Sequence, residues 1–166
     1  MRLLNALFAL LCCALAGSAW AQPVADFYRG KTVNVWIGYG PGGGYDLSAR
    51  VLARHMGRHI PGEPTLVARN MPGVGSLSLA NWLYNVAPKD GTILTMVSQG
   101  LPIDQALQLN PSLRVDMRTF NWIGNLVNAN QLLVVWHTSK VKTLEEAKKT
   151  ETLIGSTGAG TVSVQL

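Results

Sequence analysis

Three segments of this chain repeat one pattern, in which an apolar strand runs into a loop rich in glycine or serine. The strands are predicted at Val33 to Gly38, Thr65 to Asn70 and Thr92 to Ser98. A helix is predicted between successive strands, from Asp46 to Ile60 and from Ser76 to about Val86. Because the connections are short and the strands are apolar, this βαβαβ order predicts an α/β fold with a parallel sheet and helices on its faces.

The loops that follow the strands, at 38–44, 71–75 and 98–100, are expected to share one rim. Ligands of open α/β sheets bind beyond the carboxyl ends of the strands, where such loops lie. The loop from Gly40 to Gly44 combines glycines, which allow close approach of the backbone to a ligand, with a helix N-terminus that carries partial positive charge. These features predict a seat for an anion, either phosphate or carboxylate.

Three side chains near the first loop need separate interpretation. Tyr39 and Tyr45 bracket the glycines, and they either line a ligand pocket or pack against the core. Asp46 would repel an anion if it faced one. At the first helical turn we expect it to favour the helix dipole and to order the loop through backbone N–H groups, which is a structural role.

Residues 1 to 22 have the pattern of a secretory signal peptide. Arg2 precedes an apolar run from Leu3 to Ala16, and Ala19-Trp20-Ala21 places small residues where an A-x-A cleavage site needs them. The apolar run is too short to cross about 30 Å of hydrocarbon. We therefore predict export to the periplasm, with cleavage near Ala21 and a mature chain that starts at about Gln22.

Composition limits the sites that the mature chain can hold. Cys12 and Cys13 are the two cysteines and both lie in the signal segment, so disulfides and cysteine-bound metals are excluded from the mature chain. The 14 Lys and Arg against 9 Asp and Glu give a net charge of +5, and removal of Arg2 leaves +4. This mild excess suits small anionic ligands, and the lack of a basic run argues against nucleic acid as a partner.

The pattern loosens after Pro102. An apolar stretch from Asn121 to Trp136 is expected to cross into a second domain, and Thr143 to Glu146 predicts a capping box that opens a helix to Lys149. A strand at Thr152 to Gly155, a third glycine loop and a helix start at Thr161 then follow. Because a helix of this kind needs a return strand to bury it, we expect the chain to be a fragment or a truncated product of something longer.

Three regions follow from this pattern. Residues 1–21 are predicted to be the signal peptide, residues 22–122 a first α/β ligand-binding domain, and residues 123–166 the crossover and the start of a truncated second α/β domain.

Other chemistries have weaker support. The segment from Gly38 to Gly43 matches G-x-G-x-x-G, but the second strand ends in Arg69-Asn70, where a dinucleotide site needs an acidic residue. His55 and His59 have the spacing of metal ligands, yet neighbouring arginines oppose a dication and favour a solvated basic face. No Walker loop and no nucleophile–base set is visible, so we assign no catalytic residue, metal or cofactor.

Four sequence elements stand in a fixed order behind the signal segment. They are GYGPGGGYD from Gly38 to Asp46, NMPGVGS from Asn70 to Ser76, the turn PKDGT from Pro88 to Thr92, and GSTGAGT from Gly155 to Thr161. In this order they resemble segments of the Bug or TctC-like family, the periplasmic receptors of tripartite tricarboxylate transporters. The resemblance covers residues 25 to 165, nearly the whole mature chain.

The resemblance implies a periplasmic-binding-protein-like, type II-like fold, in which two α/β domains with parallel-rich sheets close like a flytrap. It implies a receptor without a cofactor, not an enzyme, which delivers a small carboxylated organic acid to the permease subunits of a tripartite tricarboxylate transporter. Backbone groups, small hydroxyls and ordered water would hold the carboxylate. Carried over by position, the ligand-binding residues are Tyr39, Gly40, Gly42, Gly43, Gly44, Tyr45, Gly73, Val74, Gly75, Ser76, Ser98, Gln99, Ser156, Thr157, Gly158 and Thr161.

The sequence also departs from the family pattern. Gly40 stands where proline is common, Val74 where alanine is usual and Ser76 where glycine is usual, so the identity of the ligand is not inherited with the resemblance. Two other interpretations stay open. In the first, the chain is a non-functional remnant of a receptor gene. In the second, it is an exported enzyme that acts on an anionic substrate.

Overall fold

The computed structural model describes residues 24–126, 132–153 and 155. Within them a short helix precedes strands that alternate with helices. The strands are β1 Thr32–Ile37, β2 Thr65–Asn70 and β3 Ile93–Met96, and the helices are α1 Val24–Tyr28, α2 Gly44–Met56, α3 Leu77–Asn85, α4 Leu101–Leu107 and α5 Leu144–Ala147. Single 3-10 turns occur at Gly57–His59, Val74–Ser76 and Met117–Thr119. The predicted signal segment lies outside the described residues.

The three strands form one parallel sheet in the order β2-β1-β3. At its centre Val35 of β1 pairs with Ala68 of β2 and with Leu94 of β3. A helix lies in each connection between successive strands, as parallel pairing requires. The predicted α/β fold with a parallel sheet is therefore confirmed, and β2 has the predicted bounds.

Helices cover both faces of β1. Val35 and Ile37 point to one face, where they are at most 1% exposed and pack with Ala49 of α2. On the other face Trp36 contacts Trp82 of α3, with ring centroids 5.2 Å apart. Because successive strand residues point to opposite faces, this alternation fixes which side chains of β1 face each of the two helices.

The sequence pattern does not predict α4, Leu101–Leu107. Seven residues are too few for a clear helical stripe, although a proline in the first turn, Pro102, is a known start signal. Leu101 is fully buried in a second apolar cluster with Leu77, Ala80 and Met117. Tertiary packing therefore holds this helix after β3, and intrinsic propensity contributes less.

The capping box predicted before α5 is confirmed. The Thr143 hydroxyl accepts a hydrogen bond from Glu146 N at 3.2 Å, and the Glu146 carboxylate accepts one from Thr143 N at 3.2 Å. The helix itself is shorter than expected, because it ends at Ala147 rather than at Lys149.

The crossing of residues 121–136 into a second domain stays a prediction. Residues 121–126 and 132–136 are exposed and contain no helix or strand, while 127–131 lie outside the described residues. The strand predicted at Thr152 to Gly155 is wrong for Thr152, Leu153 and Gly155, the residues of it that the structure describes. Leu153 is 99% exposed, so an apolar residue alone did not secure a partner strand there. No helix in the described part of the chain is long and apolar enough to cross a membrane.

We expect Gly38→Ala to destabilise the fold. A Cβ at position 38 would lie 2.1 Å from the Cβ of Ser76, which forces the backbone to move. Overpacking of this kind costs about 1–3 kcal/mol in the free energy of unfolding, which urea titration followed by tryptophan fluorescence measures. Gly40→Ala is the matched control, because no atom lies within 4 Å of the Cβ that it adds. Equal losses in the two variants would contradict the close packing of Gly38.

Candidate functional site

The loops that follow the three strands meet at the carboxyl ends of the strands. We call residues 38–46, 70–76 and 98–100 the rim. The side-chain amide of Asn70 donates to the carbonyl of Tyr39 at 2.9 Å, and Ser98 N donates to the Ser76 hydroxyl at 2.6 Å. These hydrogen bonds join the second loop to both of its neighbours, which confirms the predicted shared rim.

The first loop leaves open space in front of α2. No atom lies within 4 Å of the Cβ that a side chain would place at Gly40, Gly42, Gly43 or Gly44. Gly43 is the N-cap of α2 and makes no side-chain cap hydrogen bond. The first N–H groups of a helix have no intrahelical acceptor, so this open helix end offers hydrogen-bond donors and partial positive charge to an anion.

Asp46 organises the first loop from behind. Its carboxylate is 4% exposed and accepts hydrogen bonds from Gly42 N at 2.9 Å, from Arg50 Nε at 2.9 Å and from Asn70 Nδ2 at 2.8 Å. The bonds from Arg50, Asn70 and Gly42 hold the pKa of Asp46 well below its usual range. These are the contacts of a residue that orders the loop, and the Arg50 guanidinium offsets its charge towards an anion.

Two tyrosines form an aromatic wall beside the glycines. The rings of Tyr39 and Tyr45 are stacked, with centroids 4.4 Å apart and an angle of 18° between their planes. The Tyr45 hydroxyl accepts a hydrogen bond from Gln99 N at 3.4 Å. Burial raises the pKa of the Tyr39 phenol, which therefore stays neutral at physiological pH. Both rings also pack against the core under β1, so they serve packing and line the rim at the same time.

The second loop has an unusual backbone. Val74, Gly75 and Ser76 have φ of 43°, 60° and 70°, which places three consecutive residues in the left-handed region, and Gly73 before them has φ 157°. A residue with a side chain is strained there, by about 1–3 kcal/mol, and strain of this kind clusters at functional sites. Val74 is also 52% exposed, so an apolar side chain stands on the rim.

The third loop contributes one buried and one exposed side chain. Ser98 is 1% exposed, and its hydroxyl accepts a hydrogen bond from Gly100 N at 3.1 Å. Gln99 is exposed beside it. The Ser98 hydroxyl also contacts the phenol of Tyr39, so it connects the third loop to the aromatic wall.

The structure brings together the predicted ligand residues of the first three loops. They differ in accessibility. The glycines of the first loop, Val74 and Gln99 are exposed, whereas Gly75, Ser76 and Ser98 are buried and the two serine hydroxyls are bonded inside the protein. A ligand contact by either hydroxyl stays a prediction. Ser156, Thr157, Gly158 and Thr161 lie outside the described residues.

Sequence reasoning missed the part played by Asn70 and Arg50. The guanidinium of Arg50 donates to the side-chain oxygen of Asn70 at 2.8 Å, so both residues surround Asp46. The i, i+4 spacing of Asp46 and Arg50 on a helix is a signal for the ion pair. Nothing in the spacing of Asn70 points to Asp46, because the two meet only through the pairing of β1 with β2.

The two spaced histidines lie away from the rim. His55 and His59 are exposed, and His59 accepts a hydrogen bond from Arg58 Nε at 3.2 Å. Within the ranges that the structure describes, no three His, Cys, Asp or Glu side chains gather as a metal site requires.

Two curated proteins are similar to this chain. The UPF0065 protein in the gbd 5' region of Cupriavidus necator is 33% identical over 129 residues, which cover 76% of this chain and 37% of that protein. Protein BugT of Bordetella pertussis strain Tohama I is 32% identical over 108 residues, 64% of this chain and 32% of that protein. The chain belongs to the Bug family. It spans about a third of the length of these relatives. No family model and no solved structure matches it.

Membership of the Bug family gives the departures in sequence a structural meaning. Gly40 lies in the open first loop, while Val74 and Ser76 both lie in the left-handed turn of the second loop. The three positions noted as departures from the family motifs, Gly40, Val74 and Ser76, therefore all lie on the rim.

We expect Asp46→Asn to lower the free energy of unfolding by an amount that depends on pH, because the variant removes the buried charge. The folded-state pKa of Asp46 is lowered, so the ionised carboxylate stabilises the fold at every pH above its unfolded pKa of about 4, and this gain is lost as pH falls towards the folded pKa. The difference in free energy of unfolding between wild type and variant should be constant from about pH 5 to pH 8 and shrink below about pH 4.

Urea titrations across this range measure that difference. Glu63→Gln is the control, since Glu63 is an exposed carboxylate before β2, at the opposite end of the sheet. A pH-independent difference for Asp46→Asn would show that its charge is not held by the contacts described.

Proposed function

We propose that the protein to which this chain belongs is a periplasmic solute-binding receptor that captures a small organic acid by its carboxylate. It delivers the acid to the membrane permease subunits of a tripartite tricarboxylate-type transporter. The observation that carries this proposal is the open N-terminus of α2, where Gly43 makes no side-chain cap and four glycines border free space. Membership of the Bug family supports a binding receptor in general.

The groups around the rim favour reversible binding of an anion. The helix N-terminus supplies partial positive charge and backbone donors, which hold a carboxylate well. Asp46 is the acidic group nearest the first loop, and its ion pair with Arg50 at 2.9 Å reduces its repulsion of a bound anion. A receptor has to release its ligand to a permease, and a site made of neutral donors suits capture followed by release.

A binding role fits the rim better than catalysis. The one carboxylate of the rim, Asp46, is held by Gly42 N, Arg50 and Asn70, and Ser76 and Ser98 are bonded to backbone N–H groups rather than to a base. In the proposed receptor a second domain closes over the ligand and supplies Ser156, Thr157, Gly158 and Thr161. The predicted signal segment, with its predicted cleavage near Ala21, supports export.

We expect Gly44→Pro to weaken binding of the acid by removing one donor. Gly44 is the first residue of α2, where a proline is accepted because its N–H has no intrahelical partner. Gly43 has φ −83° and ψ 172°, which suits a residue before proline. Loss of one charge-assisted hydrogen bond costs about 1.5–3 kcal/mol, or roughly a 10- to 100-fold increase in Kd.

Isothermal titration calorimetry with benzoate, succinate and citrate as mono-, di- and tricarboxylate probes measures this effect on the protein that carries this sequence. Gly44→Ala is the matched control, since it retains the N–H and its Cβ has no neighbour within 4 Å. Equal Kd values for the two variants would place the carboxylate elsewhere. A wild-type protein that binds none of the probes would contradict the proposed ligand class, and turnover of a bound acid would favour an enzyme.

A further inference from the structure

Ser76 occupies a position that would ordinarily favour glycine. Its φ of 70° lies in the left-handed region, and its side chain is fully buried. It also stands so close to Gly38 that no side chain fits there, because a Cβ at position 38 would meet the Ser76 Cβ at 2.1 Å. A serine at this place therefore adds strain to the turn and restricts the first loop to glycine.

The hydroxyl of Ser76 compensates for this strain with a hydrogen bond between loops. It accepts from Ser98 N at 2.6 Å, and both residues are almost fully buried. Ser98 lies beyond the end of β3 at Met96, where the ladder of the sheet no longer supplies an acceptor. A buried N–H without an acceptor is costly, so the Ser76 hydroxyl satisfies a group that a glycine at position 76 would leave to another partner.

We propose that Ser76 is a positioning residue, which locks the second and third loops together before a ligand binds. The inference rests on the proposed function, because it assigns to Ser76 the shape of the rim that receives the acid. Val74 lies two residues before Ser76 and Gln99 lies one residue after Ser98, and both are exposed. The bond between the two serines therefore fixes the spacing of two side chains that differ in chemistry, one apolar and one an amide.

This role differs from the ligand contact that the family resemblance implies for Ser76. A hydroxyl that is fully buried and bonded to Ser98 N acts on a ligand through the loops it holds. Its removal should loosen the rim and reduce affinity, while the carboxylate seat at the start of α2 keeps its own donors.

Two variants separate the hydroxyl from the strain. Ser76→Ala removes the acceptor and keeps a side chain in the left-handed region, whereas Ser76→Gly removes the acceptor and relieves the strain. The glycine variant also keeps the test possible if the alanine variant folds poorly. Ser78→Ala is the matched control, because Ser78 is an exposed serine in the first turn of α3 and the Ser98 N–H bonds to Ser76 instead.

Backbone NMR with amide hydrogen exchange is the measurement. In both Ser76 variants we expect the Ser98 amide proton to move upfield and to exchange at least about tenfold faster, with shift changes also at Val74 and Gln99. Ser78→Ala should leave all three amides as they are in wild type. A Ser98 amide that keeps its shift and its slow exchange in Ser76→Gly would overturn the inference.

Calorimetry with benzoate, succinate and citrate completes the test. If the rim is loosened as inferred, both Ser76 variants bind the best of these probes more weakly than wild type and Ser78→Ala does not. Unchanged Kd values beside a changed Ser98 amide would overturn the positioning role. If wild type binds no probe, the proposed function fails, and the amide measurements alone still decide whether Ser76 locks the loops.

Discussion

The buried carboxylate of Asp46 is the interaction on which the rim depends. It joins the glycine loop through Gly42 N, its own helix through Arg50 and the end of β2 through Asn70. A carboxylate that is 4% exposed is tolerable only when it is paired and hydrogen-bonded, so these three partners are needed together. The open glycine loop would otherwise have no side chains of its own to hold it. A buried acidic residue thus orders the loop that we propose as the seat of an anion.

The sequence was sufficient for the parts of the fold that repeat a pattern. Strands followed by glycine loops indicate the parallel sheet and the shared rim, and the spacing of Thr143 and Glu146 indicates the capping box, because each depends on a local pattern. It was insufficient where tertiary packing decides, as for α4, whose seven residues are held by the burial of Leu101. The same limit applies to the rim. The glycines predict the open loop. The hydrogen bond between Asn70 and Asp46, in contrast, requires the pairing of β1 with β2, which no short motif encodes.

Left-handed backbone at residues with side chains is concentrated in the second loop: of the four such residues in the described part of the chain, Val74 and Ser76 lie there, and Glu63 and Gln108 lie elsewhere. Val74 and Ser76 adopt left-handed backbone that glycine would adopt at no cost. Such a conformation persists only when contacts elsewhere in the structure hold it. Here the lack of a side chain at Gly38 leaves room for Ser76, and Ser98 N donates a hydrogen bond to the Ser76 hydroxyl. The strained backbone of the second loop thus comes with a hydrogen bond that connects this loop to the third loop. A turn that is rigid before binding loses less entropy when a ligand arrives.

Affinity and selectivity in such a rim come from different groups. In the proposed receptor, backbone N–H groups at the start of α2 would bind the carboxylate of any small acid, so they would supply affinity without selecting among acids. Selection among acids would then come from side chains that differ along the rim: the stacked Tyr39 and Tyr45, the exposed Val74 and the amide of Gln99. Three of these four side chains present apolar surface or an aromatic face, and Gln99 offers an amide. If the rim binds an acid as proposed, these side chains would contact the part of the acid next to its carboxylate.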